Sequence, residues 1–157
     1  MTALVEGIYI SKERRKPLQT VETVQLEAGK GIVGDRYHEQ AVKQLATGDT
    51  VKPNHLSLIA KEELDAFLAN NNAQIPYRDF RRNILTRGID LNSLVGTKFR
   101  VGDALCQGIE YCEPCAFLAA TVHRAVLPEL QEKAGLRAII LEDGNLEVGS
   151  SIVPVED

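Results

Sequence analysis

No stretch of this chain approaches 18 consecutive apolar residues, so no membrane-spanning helix is expected. The N-terminal run "MTALVEGIYISKERRKP" lacks the charged, apolar, small-residue order of a secretory signal. Cysteine is scarce and odd in number, three in all. With no export signal, that count argues for a reducing compartment and against a disulfide framework, so a cytoplasmic location is expected. Internal repeats, linkers and low-complexity tracts are also missing. Basic excess is lacking too: the net charge is −4. Nucleic-acid binding draws most of its affinity from phosphate neutralisation, which makes such a partner a poor fit.

What is present fits one soluble domain over residues 1–157, 44% hydrophobic and 25% charged. A chain this long buries about 70% of its extended surface. Short β-rich runs recur: "LVEGIYIS" (4–11), "VETVQL" (21–26), "NILTRGI" (83–89), "TKFRVG" (97–102) and "ALCQGIEY" (104–111). "GKGIVGDRYHEQ" (29–40) reads as a glycine-punctuated loop. Ala60, Leu64, Phe67 and Leu68 recur at helical spacing, and the asparagines at 70–72 end that helix. A second helix is expected over about 117–134, interrupted at Pro128 and closed by Gly135. "LRAIILE" and "LEVGSSIVPV" read as a hairpin about Asp143-Gly144-Asn145. The expected class is mainly β: a single, mostly antiparallel, β-barrel-like domain with a few short helices.

Charge is unevenly placed. Residues 78–87 carry Arg78, Arg81, Arg82 and Arg87 against Asp79 alone, whereas beyond Arg137 five acidic residues meet no basic one. A local arginine cluster in an acidic protein suits a small anionic ligand, or else a solvated strip paired with carboxylates. Nearby, "GIEYCEPCA" (108–116) holds Cys112 and Cys115 two residues apart. A thioredoxin-like pair would open a helix after the first strand of a βαβ unit, and this pair comes late in a run of strands. A plant-type iron–sulfur site needs other spacing and a fourth cysteine. Zinc could use Cys112 and Cys115 with Cys106, His38, His55 or His123, though no second ligand pair has characteristic spacing. Cys106, on a strand, reads as a buried small side chain. The remaining possibility is one functional thiolate near the arginines.

The run "FRRNILTRGIDLNSLVGTKFRVGDALCQGIEYCEPCAFLAA" (80–120) closely resembles the core of the MOSC domain, named for the C-terminal domain of molybdenum-cofactor sulfurase. "GIVGDRYH" (31–38), "HLSLIAKEEL" (55–64) and "GLRAIILEDGNLEVGSSIVPV" (135–155) are similar to further family segments, so the resemblance spans essentially the whole chain. It implies a β-barrel of the pyruvate-kinase type and a molybdenum cofactor (molybdopterin). It implies chemistry of two kinds: sulfur transfer to the cofactor, or reduction of N-hydroxylated compounds. Cys115 matches the family cysteine that serves as molybdenum ligand or sulfur carrier, so it is the implied catalytic and metal-binding residue. Arg81 and Asn83 match the Arg-x-Asn pair that holds the pterin. Lys12 matches a lysine that follows the first strand in some relatives, and Cys112 is read as a bystander.

These implied roles are chemically coherent. A thiolate suits molybdenum that already has soft sulfur ligands, and guanidinium groups grip the pterin phosphate by charge-assisted hydrogen bonds. Arg82 and His38 complete the candidate cofactor-binding set. If 81–83 lie on a strand, Arg82 faces away from Arg81 and Asn83. His38 either points inward from the rim of the pocket or sits in a plain turn. In the plain turn Gly31 and Gly34 adopt positive φ and Asp35 bonds local backbone. No pyridoxal-phosphate desulfurase, flavin, haem or iron–sulfur signature is present. A cysteine-desulfurase-type sulfur donor or an external electron donor is therefore the expected partner. The alternative is a structural zinc or cofactor-free interaction module on the same fold.

Overall fold

The computed structural model describes residues 3–114 and 116–155. They form a mainly β structure of eleven strands in two sheets, with four α-helices. The larger sheet has eight strands in the order β11-β7-β8-β9-β5-β6-β1-β2. These are β11 (Ile152–Pro154), β7 (Lys98–Val101), β8 (Ala104–Tyr111), β9 (Leu136–Glu142), β5 (Leu56–Ala60), β6 (Ile84–Arg87), β1 (Leu4–Ile10) and β2 (Gln19–Val21). The smaller sheet runs β10 (Gly144–Glu147), β3 (Thr23–Glu27), β4 (Gly31–Ile32). Among the described residues no continuous ladder closes the large sheet into a barrel. The β11 end of the sheet does reach β1, next to the edge strand β2, at an isolated antiparallel bridge, Leu4 to Ser151. There Val5 N–H donates to Ser150 O at 2.9 Å and Gly149 N–H to Val5 O at 2.8 Å.

All strand pairs are antiparallel except β5 with β6, where Leu58 pairs with Ile84. A parallel pair needs a crossover, and α2 (Lys61–Asn70) supplies it. This crossover explains why "LSLIA" is buried at every position. Strands β1, β5 and β6 are covered on both faces, which gives a continuous apolar run where one-sided strands alternate. Ile8, Leu58 and Ile84 point into a core shared with Leu26, Phe99 and Ile140. Tyr9, Ile59 and Leu85 point the other way, into a second core under the helices.

That second core positions the candidate site. It packs Leu64 and Phe67 of α2 against Phe80, Leu118 of α3 (Ala116–Thr121), and Val126 and Leu130 by α4 (Val126–Glu129). Phe67 meets Phe80 edge to face, with centroids 5.8 Å apart. Each fully buried side chain of this size contributes about 1.5–3 kcal/mol. The arginine run follows Phe80, and α3 follows position 115, so one apolar cluster draws the two segments together.

Three expectations are corrected. The loop 29–40 ends in an unexpected helix, α1 (Arg36–Ala46). Asp35 caps it, its carboxylate accepting Tyr37 N–H. The helix expected over 117–134 is two short ones, and the break falls before Pro128, which occupies the first turn of α4, where a proline N–H is not needed. The hairpin about 143–145 does not form: β9 pairs with β8 and β5, and β10 pairs with β3 of the other sheet. Asp143 sits at that crossing and its carboxylate accepts Ala28 N–H at 2.6 Å, so the chain changes sheets instead of turning back.

Candidate functional site

Cys115 lies outside the described residues. β8 and β9 remain paired to Tyr111 and Leu136, and Cys112 N–H donates to Gly135 O at 2.8 Å. After Pro114 the chain enters α3, anchored by buried Leu118. Cys112 is itself 2% exposed. Cys106 is fully buried on β8, and burial pushes its thiol up to about 12. Neither is placed as a surface nucleophile, and Cys106 is the packed side chain its strand position foretold.

Phe117, on the first turn of α3, carries the main feature of the site. Two guanidinium groups lie over its one ring: Arg15 at 5.5 Å and Arg81 at 5.6 Å from the centroid. Arg81 closes the short 3-10 turn Tyr77–Phe80, with φ 66°. Arg15 sits in the exposed strap 12–17, with φ 64°. Both are left-handed, a conformation costing about 1–2 kcal/mol outside glycine, and such strain concentrates at functional positions. The two segments are linked, since Arg81 Nη1 donates to Lys16 O at 2.6 Å.

The strap is anchored at its base. Ser11 Oγ donates to Glu13 O at 2.7 Å. Ser11 N–H donates to Asp35 Oδ1 at 3.0 Å, and Arg36 N–H donates to Ser11 O at 2.7 Å. Buried Asp35 makes the local backbone bond expected of it, but as the cap of α1 and not within a plain turn, and it also holds the end of β1, which the sequence did not suggest. Gly31 and Gly34 do have positive φ, 138° and 93°. Beyond the strap lies an open depression of about 850 Å³. Lys12, Arg14, Arg36, Lys43 and Lys52 line it against Glu13 and Glu39, and Arg36 lies over the Tyr37 ring. In a chain of net charge −4, this face is basic.

The candidate residues from the sequence divide by geometry. Arg81 faces the site, and Lys12 lines the adjoining basic depression. Asn83 is 4% exposed and bridges three strands. Its Oδ1 accepts Ser57 N–H at 3.1 Å and the Ser57 hydroxyl at 3.2 Å, and its Nδ2 donates to Tyr9 O at 3.0 Å. Arg82 is half-buried: Nε donates to Ala134 O at 2.8 Å and Nη2 to Glu113 O at 3.2 Å. Residues 81–83 precede β6, so strand alternation does not govern them. His38 pairs with Glu27 of β3. Among the described residues no cluster of three histidine, cysteine or acidic side chains is placed to hold a metal. Arg15 and Phe117 were missed in the sequence; the available signal was the basic run "KERRK" immediately after a strand.

The fold is that of a small, mainly β protein with a basic face beside the strap. A family model described as "MOSC domain" matches residues 53–153, and the chain belongs to that family. Among solved structures, YuaD from Bacillus subtilis has a TM-score of 0.77 at 18% identity, covering 100% of this chain and 98% of that one. YiiM from Geobacillus stearothermophilus gives 0.70 at 18%, with 98% and 75% covered. YiiM from Escherichia coli gives 0.71 at 19%, with 100% and 71% covered. No curated protein sequence matches the chain significantly.

Proposed function

We propose that this protein binds a molybdenum–pterin cofactor at the face formed by the strap 12–17, Arg81 and α3. It acts there in sulfur transfer to the cofactor or in reduction of N-hydroxylated compounds. The single observation that carries the reading is the pair of guanidinium groups on the Phe117 ring, two residues from Cys115. Like charges converging on one ring favour an anion between or beside them. Guanidinium groups are suited to phosphate, which they bind through paired charge-assisted hydrogen bonds. Arg15 and Arg81 are the residues that would hold the phosphate, and Lys12 would add charge from the neighbouring depression. Cys115 would serve as metal ligand or sulfur carrier. When bound, the cofactor supplies a redox-active metal in a soft sulfur environment.

The other candidates support the site from behind. Asn83 fixes β5 and β1 beneath it, and Asp35 fixes the strap. The sequence carries no pyridoxal-phosphate desulfurase, flavin, haem or iron–sulfur signature, so a pyridoxal-phosphate-dependent desulfurase or an external electron donor is the proposed partner, in the cytoplasm. The test is elemental and pterin analysis of protein purified from a cofactor-competent host, with Cys115→Ser and Cys112→Ser beside the wild type. Molybdenum near stoichiometry, lost only in Cys115→Ser with melting unchanged, is the expected result. Zinc without pterin, lost equally in both variants with early melting, would establish the structural-zinc alternative instead.

A further inference from the structure

We infer that Arg82 is a positioning residue for Cys115, acting as a side-chain rung that continues the β8–β9 ladder past its last backbone bond. This inference rests on the proposed role of Cys115. The ladder ends where Tyr111 faces Leu136, followed by the bond from Cys112 N–H to Gly135 O. One step further, where backbone pairing stops, the Arg82 guanidinium lies between the strands and donates to both Glu113 O and Ala134 O. Two donors on one rigid plane hold two carbonyls in fixed relation, which a flexible ammonium group cannot do.

The wall on the far side is closely packed. Gly135 has φ 113°, and a Cβ there would collide with Leu58 O, so 134–135 lies hard against β5. Arg82 therefore ties Glu113, two residues before Cys115, to the sheet, and Pro114 stiffens the remaining step through its fixed φ. On the other side Leu118 anchors α3 in the second core. Arg82 needs no contact with the cofactor to matter: it fixes Glu113, where the chain leaves the sheet two residues before Cys115.

Amide hydrogen exchange on cofactor-free protein, paired with molybdenum content of protein from the cofactor-competent host, tests the inference. In Arg82→Ala, exchange over residues 112–118 should rise about tenfold while 136–142 is unchanged, as expected for loss of a local tether. Molybdenum content should fall below half. Arg82→Lys, which keeps the charge but reaches one carbonyl, should remain deficient, and methylguanidinium at sub-denaturing concentration should restore Arg82→Ala. If Arg82→Ala does not fold, Arg82→Gln replaces it, its carboxamide being too short to span both carbonyls. Wild-type exchange in Arg82→Ala, or full function in Arg82→Lys, would overturn the rung. Accelerated exchange together with a wild type that never holds molybdenum keeps the rung and sinks the cofactor reading.

Discussion

Replacing Asn83 with alanine separates a residue that holds ligand from one that holds the protein. The side chain is buried and makes three hydrogen bonds, two accepted from Ser57 and one donated to Tyr9 O. At about 1 kcal/mol net for each bond, and more where a buried partner is left unsatisfied, the loss is at least about 3 kcal/mol. For a domain of this size each kcal/mol shifts the midpoint by about 2–4 °C, which gives a fall of about 6–12 °C. The fall should appear in cofactor-free protein by calorimetry or circular dichroism, because none of the three partners is a ligand. Asn83→Asp keeps the acceptor but puts a charge in the same buried place, so it should be at least as damaging. A cofactor-free Asn83→Ala protein melting within 2 °C of wild type, about the smallest shift one kcal/mol produces, would refute the reasoning and leave ligand binding as Asn83's role.

Arg81→Ala should lower cofactor retention by about ten- to hundredfold, the worth of one lost charged hydrogen-bonding contact. Arg78→Ala and Arg87→Ala remove only surface pairs with Asp79 and Glu6 and should retain it; equal losses in all three would show diffuse attraction. His55 supplies a pH test. Its Nδ1 accepts Ile140 N–H at 2.9 Å, and burial holds its pKa below the ordinary 6.5. Its contribution to stability is therefore complete above about pH 6.5 and lost as pH falls through the depressed folded value. Chemical denaturation at pH 7 and pH 5 should show that loss, and it should shrink in His55→Gln; an unchanged loss would assign the titration elsewhere.

Much of the fold was legible where local pattern and tertiary environment agree. β1, β8 and β9 match their sequence runs almost residue for residue, because turn residues bound each of them. α1 was hidden since its apolar residues are few and it begins inside a glycine-rich stretch; Asp35 was the available cap signal. The false hairpin arose because Asp143-Gly144-Asn145 has good turn chemistry, while a close approach of Gly144 to Ala104 and the pairing of β10 with β3 decide the path. Around the candidate site, Arg81 was singled out by its motif and lies over the Phe117 ring. Arg15 was not, because its place over Phe117 depends on a contact spanning about a hundred residues that no local pattern records.

The bridge between Leu4 and Ser151 makes the fold a ring in sequence space as well as a wrapped sheet. The first strand completes its hydrogen bonding only against residues some 145 positions later, near the greatest separation the chain offers. Contacts that distant carry the full entropy of closing the chain and place folding toward the slower end for a domain of this size. The same adjacency permits circular permutation. If a short linker joined the two ends and the exposed connection at 48–53 were cut, every pairing described above would survive. What is now among the most distant contacts in the chain would then become local, and the permuted protein should fold faster while keeping the strap, Arg81 and α3 in register.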